Sequence, residues 1–221
     1  MIIGESGSGK TTLLKCMVGL NDLDSGEVLY DGRNFYDLDF KSKKQIRKEI
    51  GMLFQGGALF DSKTVEENVV FPLSMLTDLS EDEKRDRANF CLQRVNLDNV
   101  NKLYPSELSG GMKKRVAIAR AIAVQPKYLF CDEPNSGLDP KTAIVIDNLI
   151  KEITDEYDIT TVVITHDMNS VIEIADHIMF IHNNNNWWEG SKEEILKTDN
   201  PEVCNFVYAT KFMKDLKTKL R

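Results

Sequence analysis

Eight residues near the start of the chain, Gly4, Glu5, Ser6, Gly7, Ser8, Gly9, Lys10 and Thr11, fit G-x-x-x-x-G-K-[ST] at every fixed position. Glycines let a backbone wrap tightly and aim its N–H groups at phosphate oxygens. At this spacing Lys10 is placed to reach β- and γ-phosphates, and the Thr11 hydroxyl to ligate Mg²⁺. A second stretch, "KYLFCDEP" at 127–134, is an apolar run ending in two carboxylates. At the ligand edge of a buried parallel strand, Asp132 is placed to hold Mg²⁺, often through water. Glu133 is placed to orient or deprotonate an attacking water. A third stretch, "ELSGGMKKRVAIARAIAVQPK" at 107–127, opens on Ser109 as a helix N-cap, followed by Gly110 and Gly111. Two glycines cost helix stability, so close backbone approach is expected there, at a second anion site.

These residues need elements to position them. Thr12 and the residues up to Gly19 read as a helix whose N-terminal dipole favours an anion. Met112, Val116, Ala119 and Ala123 recur at helical spacing and form an apolar stripe. "SGEVLYDGRNF" at 25–35 predicts a hairpin turning at Asp31 and Gly32. Ser80 with Glu83 three residues later predicts a capping box. "HIMFIHNNNNWWEG" at 177–190 reads as strand, polar turn, strand, with Trp187 and Trp188 packed or at an edge. The basic run at 41–48 reads as a solvated helix face.

Composition bounds the reading. The 221 residues suffice for one sizeable domain, and 42% hydrophobic content supports a packed core. A net charge of −7 argues against a nucleic-acid partner, since such proteins usually carry a basic stripe. No apolar run approaches a membrane span and nothing resembles a signal peptide, so any membrane role is expected to run through a partner. Cys16, Cys91, Cys131 and Cys204 lie far apart without C-x-x-C spacing, which fits small apolar residues in a reducing compartment and no zinc site.

Together these motifs resemble the ATP-binding cassette ATPases over nearly the whole chain. Leu108, Ser109, Gly110, Gly111 and Met112 are similar to the family signature; Gln55 in "IGMLFQ" resembles the Q-loop glutamine. "SGLDP" at 136–140 resembles the D-loop with Asp139 its acid, and "TTVVITHD" at 160–167 delivers His166, which resembles the switch histidine. The resemblance implies an α/β P-loop NTPase fold with a RecA-like core, a small antiparallel β part and a helical subdomain. It places the nucleotide core at 1–59 and 126–185, the helical subdomain at 60–125, and a hairpin and tail at 186–221.

It also implies an ATPase using ATP with Mg²⁺. Two copies would pair head to tail as a homodimer. Gly4 to Thr12, Gln55, Asp132, Glu133 and His166 would serve one site in cis, with Thr11, Gln55 and Asp132 toward the metal. Ser109, Gly110 and Gly111 would serve the partner's site in trans. The family normally has a longer segment before the loop, bearing an adenine-stacking aromatic and further strands. Only Met1, Ile2 and Ile3 stand there, so a fragment or a late start is expected.

The segment "FQGGALFDSKTVEENVVFPL" at 54–73, with Met112 in the signature, is similar to bacterial Mla-type, MCE-associated lipid-transport ATPases. That implies a motor subunit for phospholipid transport, peripheral at the cytoplasmic face of the inner membrane. Its partners would be an integral membrane permease and an MCE-type lipid-binding protein. The alternative is a regulatory ATPase of the same fold, as in cell-division or cluster-assembly relatives. A nucleic-acid or ribosome role would bring tandem cassettes, a coiled-coil insertion or a basic surface, none of which is present. Residues 202–221 place Val203, Phe206, Thr210, Met213 and Leu220 near one helical face. A terminal helix docked on its own domain is expected, with contact to a second protomer the alternative.

Overall fold

The computed structural model describes residues 1–209. In chain order, β1 (Ile2–Ile3) feeds the 4–9 loop and α1 (Lys10–Met17). The hairpin of β2 (Leu29–Tyr30) and β3 (Arg33–Asn34) and helix α2 (Phe40–Lys48) precede β4 (Ile50–Leu53). Three helices follow, α3 (Val65–Leu76), α4 (Glu81–Arg94) and α5 (Gly110–Ile122), then β5 (Tyr128–Asp132). The remainder is α6 (Pro140–Tyr157), β6 (Thr160–Thr165), α7 (Met168–Ile174), β7 (Ile178–His182), β8 (Asn185–Gly190), α8 (Lys192–Ile195) and α9 (Pro201–Val207).

The main sheet has the order β4-β5-β6-β1-β7-β8, parallel throughout except for the antiparallel β7–β8 edge. Strand alternation sorts side chains onto its two faces. Leu129, Cys131 and Val163 join the core beneath α3, α4 and α5. Tyr128, Phe130, Val162 and Ile164 face the other way, toward α1, α2 and the β2–β3 hairpin. Both faces of β5 are covered, which explains why its sequence is an unbroken apolar run. All parallel strands end toward one edge of the sheet, and the 4–9 loop, Glu133 and His166 follow directly from the ends of β1, β5 and β6.

Local chemistry accounts for the boundaries. Asp31 and Gly32 turn the β2–β3 hairpin with φ of 49° and 75°, both in the left-handed region that a two-residue hairpin turn uses. Ser80 and Glu83 form a reciprocal capping box on α4, and Thr64 with Glu67 does the same on α3. On α2, Lys43 and Arg47 lie over the Phe35 ring at 5.7 and 5.5 Å, so part of the basic run anchors the helix. Trp188 is partly buried and packs against the cluster that holds Ile3 and Phe180, while Trp187 stays half exposed against His182. Cys91 and Cys131 are buried, which pushes their thiols up to about 11 and about 12 and makes them inert apolar fillers. Val203, Val207 and Tyr208 are buried against Ile3 and Phe180, so α9 docks on its own domain. The part of the amphipathic segment beyond 209 lies outside the described residues.

Candidate functional site

The cleft at the strand ends has a volume of about 1190 Å³, and its walls include Lys10, Thr11, Gln55, Glu133 and His166. The 4–9 loop owes its first glycine to packing. Gly4 has φ of 152°, and a Cβ there would fall 2.3 Å from the Ile181 carbonyl oxygen. Close approach of β7 therefore fixes where the loop begins. Lys10 folds back so that Nζ donates to the carbonyls of Gly4 at 2.9 Å and Glu5 at 2.7 Å. Burial lowers the Lys10 pKa, and the Glu133 and Asp132 carboxylates oppose that shift. Glu5, Ser6, Gly7, Gly9 and Thr12 also reach the cleft wall, while Gly4 is buried behind it.

The carboxylates lie where β5 meets this loop. Thr11 Oγ1 donates to Asp132 Oδ1 at 3.2 Å, which joins the loop to the buried end of the strand. Glu133 is the next residue and carries φ of 48°. A left-handed backbone at a non-glycine residue costs on the order of 1–2 kcal/mol, so the surroundings must hold it. Its N–H donates to the Ile164 carbonyl at 2.9 Å, and its own carbonyl accepts from Ser136 N–H at 3.1 Å. The twist turns the carboxylate toward His166, whose Nδ1 lies 2.8 Å from Glu133 Oε1. The imidazole is largely exposed and the carboxylate largely covered. Gln55 follows β4, and its Nε2 donates to Ser136 Oγ at 3.5 Å.

Ser109, Gly110 and Gly111 lie outside this cleft, at the start of α5. Ser109 caps the helix by accepting from Met112 N–H at 3.3 Å, and it is exposed, as is Gly110. Gly111 is buried for an internal reason: a Cβ would meet Thr142 Cγ2 at 2.7 Å. The close approach expected at these glycines is thus made at Gly111 by helix α6. Asp139 caps that helix, accepting from Lys141 and Thr142 N–H groups at 3.1 Å.

Three neighbours of the site carried no readable signal. Lys114 is buried on α5 and donates to the carbonyls of Gln55 and Glu133. Arg120 donates to the carbonyls of Ala58 and Gly57 at 2.7 and 2.6 Å. Asn135 donates to Asp147 Oδ1 at 2.7 Å and to Ser170 Oγ at 3.0 Å, and Ser170 donates to Asp147 Oδ2 at 2.8 Å. Off-stripe cations and a buried carboxylate look like surface residues in a sequence.

The donor set fits a nucleotide-borne Mg²⁺. Among the described residues Ser8 Oγ is buried in the loop without a partner, and Lys10 supplies a cation to the same loop. Thr11 and Asp132 supply hard oxygens. Among the described residues no group of three or more His, Cys, Asp or Glu side chains forms a dedicated metal cage. A hydroxyl and one carboxylate suit an ion that keeps waters and phosphate oxygens as its other ligands.

Known proteins with this combination are numerous. The family model for ABC transporters matches residues 1–136. The intermembrane phospholipid transport system ATP-binding protein MlaF of Haemophilus influenzae is 40% identical over 206 residues, 93% of this chain and 78% of that protein. The methionine import ATP-binding protein MetN of Rhizobium johnstonii is 45% identical over 180 residues, 81% of this chain, and the chain spans only 49% of its length. Among solved structures, a dimeric ATP-binding cassette in a post-hydrolysis state bound to ADP and Pi superposes with a TM-score of 0.79. It has 36% identity, with 86% of this chain and 84% of that one covered. The chain therefore belongs to the ABC transporter family and is one of its ATP-hydrolysing cassettes, which work on ATP with Mg²⁺.

Proposed function

We propose that the chain is the motor subunit of a transporter that moves phospholipids across a bacterial envelope. It would work as a head-to-tail homodimer bound beneath an integral membrane permease, peripheral at the cytoplasmic face of the inner membrane. An MCE-type lipid-binding protein would be the further partner. The single observation that supports the lipid reading over other cargo is that the chain covers 78% of the length of the Haemophilus phospholipid-system subunit. The methionine importers are as similar in identity but share less of their length with it.

Each residue of the cleft then has a part. Backbone N–H groups of the 4–9 loop and Lys10 Nζ bind the β- and γ-phosphates, the lysine leaving its two carbonyl partners. Thr11 and Asp132 hold Mg²⁺, with Gln55 approaching from the β4 side. The ion, when bound with the nucleotide, neutralises charge on the phosphate oxygens. Glu133 accepts a proton from the attacking water at its carboxylate, and His166 keeps that carboxylate oriented through its 2.8 Å contact. Ser109 Oγ and the N–H groups of Gly110 and Gly111 complete the partner's site, since the N-terminus of a thirteen-residue helix favours an anion.

The test is reconstitution. The full-length protein, copurified with its permease, is placed in phospholipid vesicles and its ATPase rate followed as lipid acceptor or methionine is added. Stimulation by the lipid acceptor is expected. Stimulation by methionine with its binding protein, and none by lipid, overturns the cargo assignment.

A further inference from the structure

Helix α5 sends two cations inward, and both end on backbone carbonyls. Arg120 forks onto Gly57 and Ala58. Those two residues have φ of 76° and 46°, so the loop after Gln55 is bent through successive left-handed positions. One clamp would hold that loop to the helix. Lys114 adds something different. The residue is 6% exposed, and its ammonium donates to the Gln55 carbonyl and, at 3.4 Å, to the Glu133 carbonyl. Among the described residues it makes no salt bridge. Burial pulls its pKa below the usual lysine value, opposed by Cys131, Glu133 and Asp132. A buried ammonium is costly to hold, and a neutral donor or water would satisfy two carbonyls. What the ammonium alone achieves is to span the ends of two strands from a third element.

We propose that Lys114 is a positioning residue for hydrolysis, tying the left-handed Glu133 peptide and the Gln55 loop to the helix that begins with Ser109, Gly110 and Gly111. The strained Glu133 has three backbone restraints: Ile164, Ser136 and Lys114. The first two come from the sheet and from the turn that follows. Lys114 is the restraint that comes from the helical side, so it sets the carboxylate relative to the elements that close on a second copy. Lys114 does not line the cleft, and its removal leaves the phosphate contacts intact. The carboxylate is free to drift, and displacement of about 1 Å at a reacting group costs up to roughly 10²-fold in rate.

This rests on the reading of Glu133 as the base, and the experiment separates the two. Lys114→Met, nearly isosteric and without donors, is made in the full-length protein, and kcat, KM and the equilibrium Kd for MgATP are measured. The expected result is a fall in kcat of about tenfold or more with KM and Kd within about threefold, because orientation is lost and binding is not. The same substitution in a Glu133→Gln background should add less than about twofold, since a residue acting through Glu133 has nothing left to position. If the methionine variant does not fold, Lys114→Ala, which also lacks donors and suits a helix, gives the same reading. Near-normal kcat in Lys114→Met, or losses that multiply in the double variant, overturn the proposal. Near-normal turnover in Glu133→Gln alone overturns the base assignment and this proposal with it.

Discussion

Two helices of this chain, α1 and α5, begin on glycine-rich backbone, and the two starts sit in opposite circumstances. The 4–9 loop is surrounded by its helpers: Lys10, Thr11, Asp132, Glu133 and His166 converge on it from the ends of two strands and α1. Ser109 and Gly110 are exposed at the tip of α5, and none of those helpers reaches them. The first is a site with chemistry built in. The second is a contact held ready on a packed helix, with Thr142 pressed against Gly111 behind it. In the head-to-tail pairing proposed above the chain would carry two halves of a site rather than one whole site, and each half is judged by a different experiment.

The sharpest blow falls on the cleft. Glu133→Gln is expected to slow turnover by roughly 10²–10⁴-fold while ATP binding is retained, because a positioned base is lost and no phosphate contact is. Equilibrium nucleotide binding beside steady-state hydrolysis checks it. The asymmetry between the halves is tested by mixing. Ser109→Arg and Lys10→Ala homodimers should each be inactive. Their mixture should recover up to roughly a quarter of normal activity, since half the dimers would hold one intact composite site. If both halves served the same chain's site, the mixture would stay dead.

Smaller effects sharpen the contrast. Gly111→Ala should lower stability by about 1–3 kcal/mol through overlap with Thr142 Cγ2, read from denaturant midpoints. Thr142→Ser in the same chain should recover most of that loss, because serine lacks the clashing methyl and keeps the hydroxyl. An exposed glycine with no such neighbour would show no rescue. The smallest effect lies behind the cleft, on the same helix. Burial raises the Asp147 pKa, and Asp167 and Glu173 push it further, while Ser170 and Asn135 bonds oppose. A raised carboxylate pKa means the folded state binds more protons than the unfolded state. Stability therefore falls as pH climbs from about 4, the ordinary aspartate value, through the raised folded value, and is level above it. The difference in melting temperature between the wild type and Asp147→Asn should decline across that window and then flatten.

How much of this was legible depended on the length of the signal. The 4–11 loop, the strand ending in Asp132 and Glu133, and the helix capped by Ser109 each have a fixed local pattern, and local patterns survive folding. The Asp31 and Gly32 turn and the Ser80 and Glu83 box are of the same kind. Gly111 was legible as a close approach, and its Cβ side is filled by Thr142, a neighbour that nothing local in the sequence indicates. The reason is physical: a glycine states that room is needed and says nothing of what fills it. Lys114 and Arg120 were invisible because their partners are backbone carbonyls, which every residue has. Asn135, Asp147 and Ser170 lie on three elements, and nothing local joins them.

The shortest strand has a consequence in time. β1 is two residues long and lies in the middle of the sheet, with Ile2 and Ile3 paired to Ile164 and Thr165 on one side and to Met179 and Phe180 on the other. The Met1 amino group reaches the His177 carbonyl, 176 residues away. Contacts at such separation must wait for the intervening chain to be made and ordered. A ribosome delivers the phosphate loop long before the two strands that flank β1, Thr160–Thr165 and Ile178–His182. The nascent protein thus carries that loop without its flanking strands until the region around residue 180 has emerged, and completes the site only then.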